Sequence, residues 1–324
     1  MRAAAVSPAG AACVGNVITS VVSTCLYYRL LWALQSSPAF GVQLCTFMQA
    51  VVCGALLLLA RCVGVKRPPA APKFRAWLEL SVWFSLQNTL EIAAVDGLGP
   101  ANGNLTPVLQ QAVIPVTIVL SSVLLRQTFC RLHWMAAGIV IVGIVASYAP
   151  LLLTNAESIR PKWGWAVLFL GSRLPQAIGN VRCEAVLLPL ASADKAEVAA
   201  DDGGGSPAVA RRRQSVQLLL ACGFWTASLG LALNFISSVM LACIRGLGAA
   251  SVLDDYSSGA RCLLNLNATA ASTDPCRAAP GATAAFALPG VLFAISEFQV
   301  CSFQTPVGSR RKSEWPASNR SLCE

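Results

Sequence analysis

Eight apolar stretches separated by polar connections run through the chain: Ala12–Leu34, Phe40–Val65, Trp77–Val95, Leu105–Leu125, Trp134–Leu153, Trp163–Leu190, Val216–Ile244 and Thr283–Val300. A hydrocarbon core of roughly 30 Å takes about 20 helical residues to cross, and most of these windows reach that length. In lipid only a helix satisfies its own backbone over such a run, so the pattern predicts transmembrane helices. Soluble cores contain buried helices too, but they do not string eight such windows in series. The expected fold class is an all-α polytopic membrane protein.

Composition agrees: 55% of the residues are apolar, 12% are charged, and the mean hydropathy is +0.61. A net charge of +9 would point to nucleic acid in a soluble protein. Here the positions of the charges point to topology instead. With a cytosolic N-terminus, fifteen of the 24 basic residues fall on the cytosolic side: Arg2; Lys66, Arg67, Lys73 and Arg75; Arg126 and Arg131; Lys195 and Arg211 to Arg213; Arg310, Arg311, Lys312 and Arg320. Five face the other side, namely Arg160, Lys162, Arg245, Arg261 and Arg277, a positive-inside bias that places the N-terminus in the cytosol. The opening MRAAAVSPAGAAC lacks a clear cleavage site and reads as the start of an uncleaved first helix.

The connections carry their own signals. Lys66–Arg75 is a basic loop broken by prolines, and Asp96–Gly103 is a tight turn rich in Gly, Asn and Pro. Ala191–Gln214, with ADDGGGSP followed by RRR, reads as a flexible cytosolic linker. The longest connection, Arg245–Gly281, lies on the luminal side and holds Cys262, Cys276 and the glycosylation sequon at Asn267. Those two cysteines could close a loop of about fifteen residues, worth roughly 3 kcal/mol in the chain-entropy model, and two free thiols are equally allowed. Of the 13 cysteines, those inside spans, such as Cys25, Cys45, Cys53 and Cys222, read as small packing residues. There is no CxxC or Cys/His cluster, and the single histidine, His133, sits beside Trp134 as an interfacial anchor. No GxSxG, HExxH or GxxxxGK[ST] sequence occurs, so neither an enzyme nor a cofactor is expected.

What chemistry there is lies in polar groups within the spans. Span 3 carries Gln87, Asn88 and Glu91, and span 4 carries Gln110, Gln111 and a mid-helix Pro115. Span 6 carries Arg173, Pro175, Gln176, Asn180 and Glu184, and span 7 carries Thr226, Asn234, Ser237 and Ser238. Pro115 and Pro175 each remove a backbone donor and can kink their helices. Interhelical hydrogen bonding accounts for many such residues without any solute. A charge at mid-bilayer is different, because it needs a cavity or a partner. Arg173 and Glu91 lie at comparable depth, and the expectation is that they pair across a central cavity. Arg182 and Glu184 are close enough to the cytosolic end to snorkel, and Glu91 and Glu184 are the candidate proton carriers within the membrane.

Spans 3 to 6 resemble a known family. Gly97-Leu98, then GNLTPVLQQAVIPVTIVLSSVLLRQTFCRLHWMAAGIVIVGIVASYAP, then LPQAIGNVRCEAVL at Leu174–Leu187 keep Gly103-Asn104, Gln111, Ile114-Pro115, Leu124-Leu125-Arg126, Pro175, Asn180 and Glu184 in order. This is similar to the chloroquine-resistance-transporter-like family of the drug/metabolite transporter superfamily, over Gly15 to Phe298 and best through spans 3–6. The resemblance implies a carrier of two inverted five-helix repeats working by alternating access in a vacuolar, lysosome-like or plastid membrane. It implies small organic solutes as partners (amino acids, peptides, glutathione-type thiols or cationic drugs), with protons as a frequent companion.

By that resemblance Gln87, Asn88, Gln111, Pro115 and Asn180 join Glu91 and Arg173 as the expected solute-binding residues. The two charges stand where relatives are uncharged, which would favour zwitterionic or anionic solutes. Eight spans against the family's ten give an expected first repeat at 1–153, a partial second repeat at 154–300 and a polar tail at 301–324. This opens a second reading, a transport-inactive truncated isoform or interaction protein. A third is another carrier of the same superfamily, such as a nucleotide-sugar transporter.

Overall fold

Helices begin where the sequence supplies a start and a long apolar run. The computed structural model describes residues 38–62, 72–98, 106–153, 163–198, 207–246 and 248–263, and among these every regular element is a helix. Pro38, whose fixed φ and missing N–H suit a first helical position, opens α1 (Pro38–Cys62). Then come α2 (Phe74–Leu98), α3 (Thr106–Gln110), α4 (Val113–Leu124), α5 (Arg131–Leu153), α6 (Trp163–Val198), α7 (Pro207–Ile244) and α8 (Ala249–Leu263). The first and last expected spans, Ala12–Leu34 and Thr283–Val300, lie outside the described residues.

The fourth apolar stretch is split. Pro115 cannot donate to the carbonyl of Gln111, and its ring crowds that same carbonyl. The backbone tightens one turn earlier instead: Ile114 N–H bonds the Gln111 carbonyl at 3.0 Å, Gln111 N–H the Val108 carbonyl at 3.1 Å, and Ala112 N–H the Leu109 carbonyl at 3.1 Å. Gln111 is thereby left exposed at the joint between α3 and α4. The helix α6, by contrast, runs through Pro175 without interruption.

Three regions are long and apolar enough to cross a membrane by length and composition: Ala39–Cys62, Thr106–Leu124 across the α3–α4 joint, and Leu220–Ile244. Arg131–Ser147 of α5 is apolar but shorter. The expectation of eight is thus met in part among the described residues. The helices α2 and α6 fall short because they carry charged and amide side chains, among them Glu79, Gln87, Asn88 and Glu91 on one and Arg173, Gln176, Asn180 and Arg182 on the other. The outward faces of α4, α5 and α7 are apolar, with Val123, Met135, Ile139, Val142, Val145, Ile236 and Met240 exposed.

The helix α2 lies between α6 and α7. On the far side of α7 lies α1, and on the far side of α6 lie α4 and then α5. At one end of α2, Ala94 and Leu98 pack with Leu109, Ala166 and Phe169. Gly97 is required here, since a Cβ on it would run into the Trp165 ring. Lower on α2, Trp77 and Leu80 pack with Cys222, flanked by Phe84, Cys183 and Leu229.

Two connections differ from expectation. The segment read as a linker, 191–214, is helical at both ends, with α6 running to Val198 and α7 starting at Pro207. Ala191-Ser-Ala-Asp-Lys-Ala-Glu is rich enough in helix formers to prolong α6, and Pro207 again suits a first turn. The stretch 245–281 contains α8, an amphipathic helix that crosses the ends of α1 and α7. Its Val252 and Gly259 are buried, and Tyr256 meets Phe40 and Phe235 edge-on at 6.2 and 5.8 Å between ring centroids. A hydropathy window long enough to span a bilayer passes over such a short, two-faced helix.

Candidate functional site

A helix that carries polar residues on two sides must find partners on both, and α2 does. Gln87 and Glu91 are four residues apart and share one face, the face against α6. Ser81, Ser85 and Thr89, again spaced by four, share the face against α7.

On the first face, Arg173 of α6 reaches Glu91. Its Nη2 donates to Glu91 Oε2 at 2.6 Å, and Gln87 Nε2 donates to the same oxygen at 2.6 Å. The other guanidinium terminus, Nη1, donates to Gln176 Oε1 at 2.9 Å, three residues along α6. The guanidinium carbon also stands 4.3 Å from the centroid of the Phe169 ring, a cation–π contact. The pair is dry: Arg173 is 0% exposed and Glu91 3%. Removing two ions from water costs several kcal/mol each, which their attraction offsets only when the remaining donors and acceptors are also satisfied. Here they are not, because Glu91 Oε1 and Arg173 Nε are buried with no hydrogen-bond partner. The site therefore holds one unfilled acceptor and one unfilled donor beside a fixed charge pair.

On the second face, side-chain hydroxyls and the Asn234 amide stitch α2 to α7, and two amides, Asn234 and Gln43, stitch α7 to α1. Ser81 Oγ donates to the Thr226 carbonyl at 3.2 Å, Ser85 Oγ to Asn234 Oδ1 at 2.7 Å, and Thr89 Oγ1 to Ser237 Oγ at 2.7 Å. Asn234 Nδ2 continues to Thr46 Oγ1 on α1 at 3.2 Å, and Gln43 Nε2 donates to the Leu231 carbonyl at 3.0 Å.

The expected pairing of Glu91 with Arg173 is present, and Gln87 joins it. Asn88 and Asn180 are half-buried, Pro115 is half-buried within α4, and Gln111 is exposed at the helix joint; none of these four makes the contacts just described. Arg182 and Glu184, read together from sequence, part company: Arg182 Nε meets Glu79 Oε1 at 3.2 Å, while Glu184 Oε1 accepts from Gln127 Nε2 at 2.8 Å. Gln127 reaches it across a turn in which Arg126 takes a left-handed φ of 53°. Cys262 falls within α8, whereas Cys276 and Asn267 lie outside the described residues. Hydropathy does not single out Ser81, Ser85 and Thr89, although their four-residue spacing within an apolar helix is a legible sign of a helix–helix seam.

A family model described as CRT-like, chloroquine-resistance transporter-like, matches residues 11–198. That region includes both Glu91 and Arg173 and more than half of the chain. No curated protein matches the chain.

Proposed function

The chain belongs to the chloroquine-resistance transporter-like family, and from that premise we propose that it carries small organic solutes across an organelle membrane by alternating access. The solute classes are amino acids, peptides, glutathione-type thiols or cationic drugs, and the binding residues are Gln87, Asn88, Glu91, Gln111, Pro115, Arg173 and Asn180. The observation that carries this reading is the pair of buried, unfilled polar atoms at the Glu91–Arg173 ion pair. A buried donor or acceptor without a partner costs about 1–3 kcal/mol, more when charged, so a solute that fills it gains that much in binding.

A solute with both an ammonium and a carboxylate fits both vacancies. Its ammonium donates to Glu91 Oε1 and its carboxylate accepts from Arg173 Nε. Among the proposed classes the fixed pair would therefore favour amino acids, peptides and glutathione-type thiols over cationic drugs, which fill the Glu91 vacancy and leave that of Arg173 dry. The joint between α3 and α4, where Gln111 is exposed, adds a break in an apolar helix of the kind found beside solute sites in membrane carriers.

Uptake by proteoliposomes holding the full chain tests this. Saturable flux of a zwitterionic amino acid or short peptide is expected, reduced at least tenfold by Glu91→Gln, a loss of about 1.4 kcal/mol in binding. The absence of saturable flux for amino acids, peptides and glutathione would overturn the reading.

A further inference from the structure

The two longest helices, α6 and α7, are held together mainly through α2, and where they do meet the contact includes two sulfur atoms. Cys183 Sγ of α6 lies 3.7 Å from Cys222 Sγ of α7. Both are thiols. They are 39 residues apart in sequence, and no CxxC or other spacing signal joins them.

Their surroundings hold them in place. Cys222 packs with Trp77 and Leu80 of α2, and Cys183 and Phe84 close the same cluster from its edge. The backbone beside each is pinned as well. Gly179, one turn before Cys183, is in tight contact range of the Phe84 ring, with 3.1 Å left for a Cβ. Thr226, one turn after Cys222, bonds the Cys222 carbonyl at 2.6 Å. Two thiols fixed face to face need to approach by less than 2 Å to reach the S–S bond length of about 2.05 Å.

We propose that Cys183 and Cys222 are a redox pair that closes, under peroxide, into a disulfide joining α6 to α7. Cys183 is the more accessible of the two and reacts first. Its sulfur attacks one oxygen of hydrogen peroxide, becoming a sulfenic acid while the second oxygen leaves as water. The Cys222 sulfur then displaces the sulfenic oxygen, the S–S bond forms, and a second water leaves with the Cys222 proton. In total, two thiols lose two electrons and two protons to one peroxide. An exogenous dithiol reverses the step by thiol–disulfide exchange. The bond forms whether or not the chain carries solute, so its fate is independent of the transport reading.

The test uses the full chain in membranes with a protease site inserted within residues 201–206, between the two helices. After peroxide and then cleavage, the halves are expected to stay joined on a non-reducing gel and to separate on adding a dithiol. Cys183→Ser and Cys222→Ser should each separate without reductant. Peptide mapping of the uncut, peroxide-treated wild type supplies an arm that does not depend on how the variants fold, and it should yield the Cys183–Cys222 cross-linked peptide. Halves that separate in the wild type, halves that stay joined equally in both serine variants, or a map lacking that cross-linked peptide would each overturn the proposal.

Discussion

Ser85 of α2 donates its hydroxyl hydrogen to the Asn234 side-chain oxygen of α7 at 2.7 Å, and the Asn234 amide passes a second bond to Thr46 of α1. One amide side chain, 4% exposed, thus ties three helices. Replacing it with leucine removes both bonds while keeping an apolar volume. Interhelical bonds of this kind average about 0.6 kcal/mol in a membrane setting, so Asn234→Leu should cost about 1–2 kcal/mol. Reversible unfolding in mixed detergent micelles, read by tryptophan fluorescence, measures this loss.

The Glu91–Arg173 pair should behave differently. Arg173→Leu leaves Glu91 buried with its main counter-charge gone, and breaking a buried pair from one side costs about 3–5 kcal/mol. Glu91→Leu should cost a similar amount. The double variant should recover most of the loss, because no uncompensated charge remains. A double-mutant cycle on unfolding free energy checks this, and additive losses would show that the two charges do not act as a unit.

Gly97 offers a steric prediction. A methyl group there meets the Trp165 ring, so Gly97→Ala should cost about 1–3 kcal/mol by overpacking. Gly97→Ala combined with Trp165→Leu should be milder than Gly97→Ala alone. Thermal unfolding of Gly97→Ala, Trp165→Leu and the double variant side by side decides the matter.

Tyr256 gives α8 a pH dependence. Burial raises its phenol above the usual value of 10, the neighbouring Asp255 charge adds to the rise, and a Ser238 contact opposes it. A pKa raised by folding means that the docked helix favours the neutral phenol. The resulting stabilisation is fully present below pH 10 and is lost as pH climbs through the higher folded value. Protection factors of the Ala249–Leu263 amides, which divide out the base-catalysed rise in intrinsic exchange, should therefore fall above pH 10, and Tyr256→Phe should abolish that fall.

Much of the described fold was legible from apolar runs alone, because bilayer thickness sets a length that a single window can detect. The apolar stretches beginning at Phe40, Trp77, Trp134, Trp163 and Val216 each correspond to a helix. The break before Pro115 was legible as a proline effect, but its position was not: the proline acts on a carbonyl one turn upstream, so the joint falls at Gln111. The helix α8 was not legible as a span because its apolar face is a stripe of Val252, Tyr256 and Gly259 rather than a run. At the site, the matched depths of Glu91 and Arg173 suggested their pairing, since two opposite charges in a low-dielectric interior have few other options. Which neighbours would share the pair was beyond reach. Gln87 and Phe169 are chosen by the rotation of α2 and α6 about their own axes, which depends on every contact along both helices.

The two faces of α2 do not resist displacement equally. Most hydroxyls of the α7 seam have a second bond within their own helix: Ser81 to the Trp77 carbonyl at 2.8 Å, Thr89 to the Ser85 carbonyl at 2.8 Å, Ser237 to the Asn234 carbonyl at 3.1 Å and Thr46 to the Val42 carbonyl at 2.9 Å, while Ser85 gives its hydrogen to Asn234 across the seam. That seam can part and leave few groups stranded. On the other face the helices' own amides, Gln87 for Glu91 and Gln176 for Arg173, supply a hydrogen bond but not the opposite charge, so parting α2 from α6 should cost more than parting α2 from α7. The molecule should therefore open most easily along the line between α2 and α7, as timber splits along its grain.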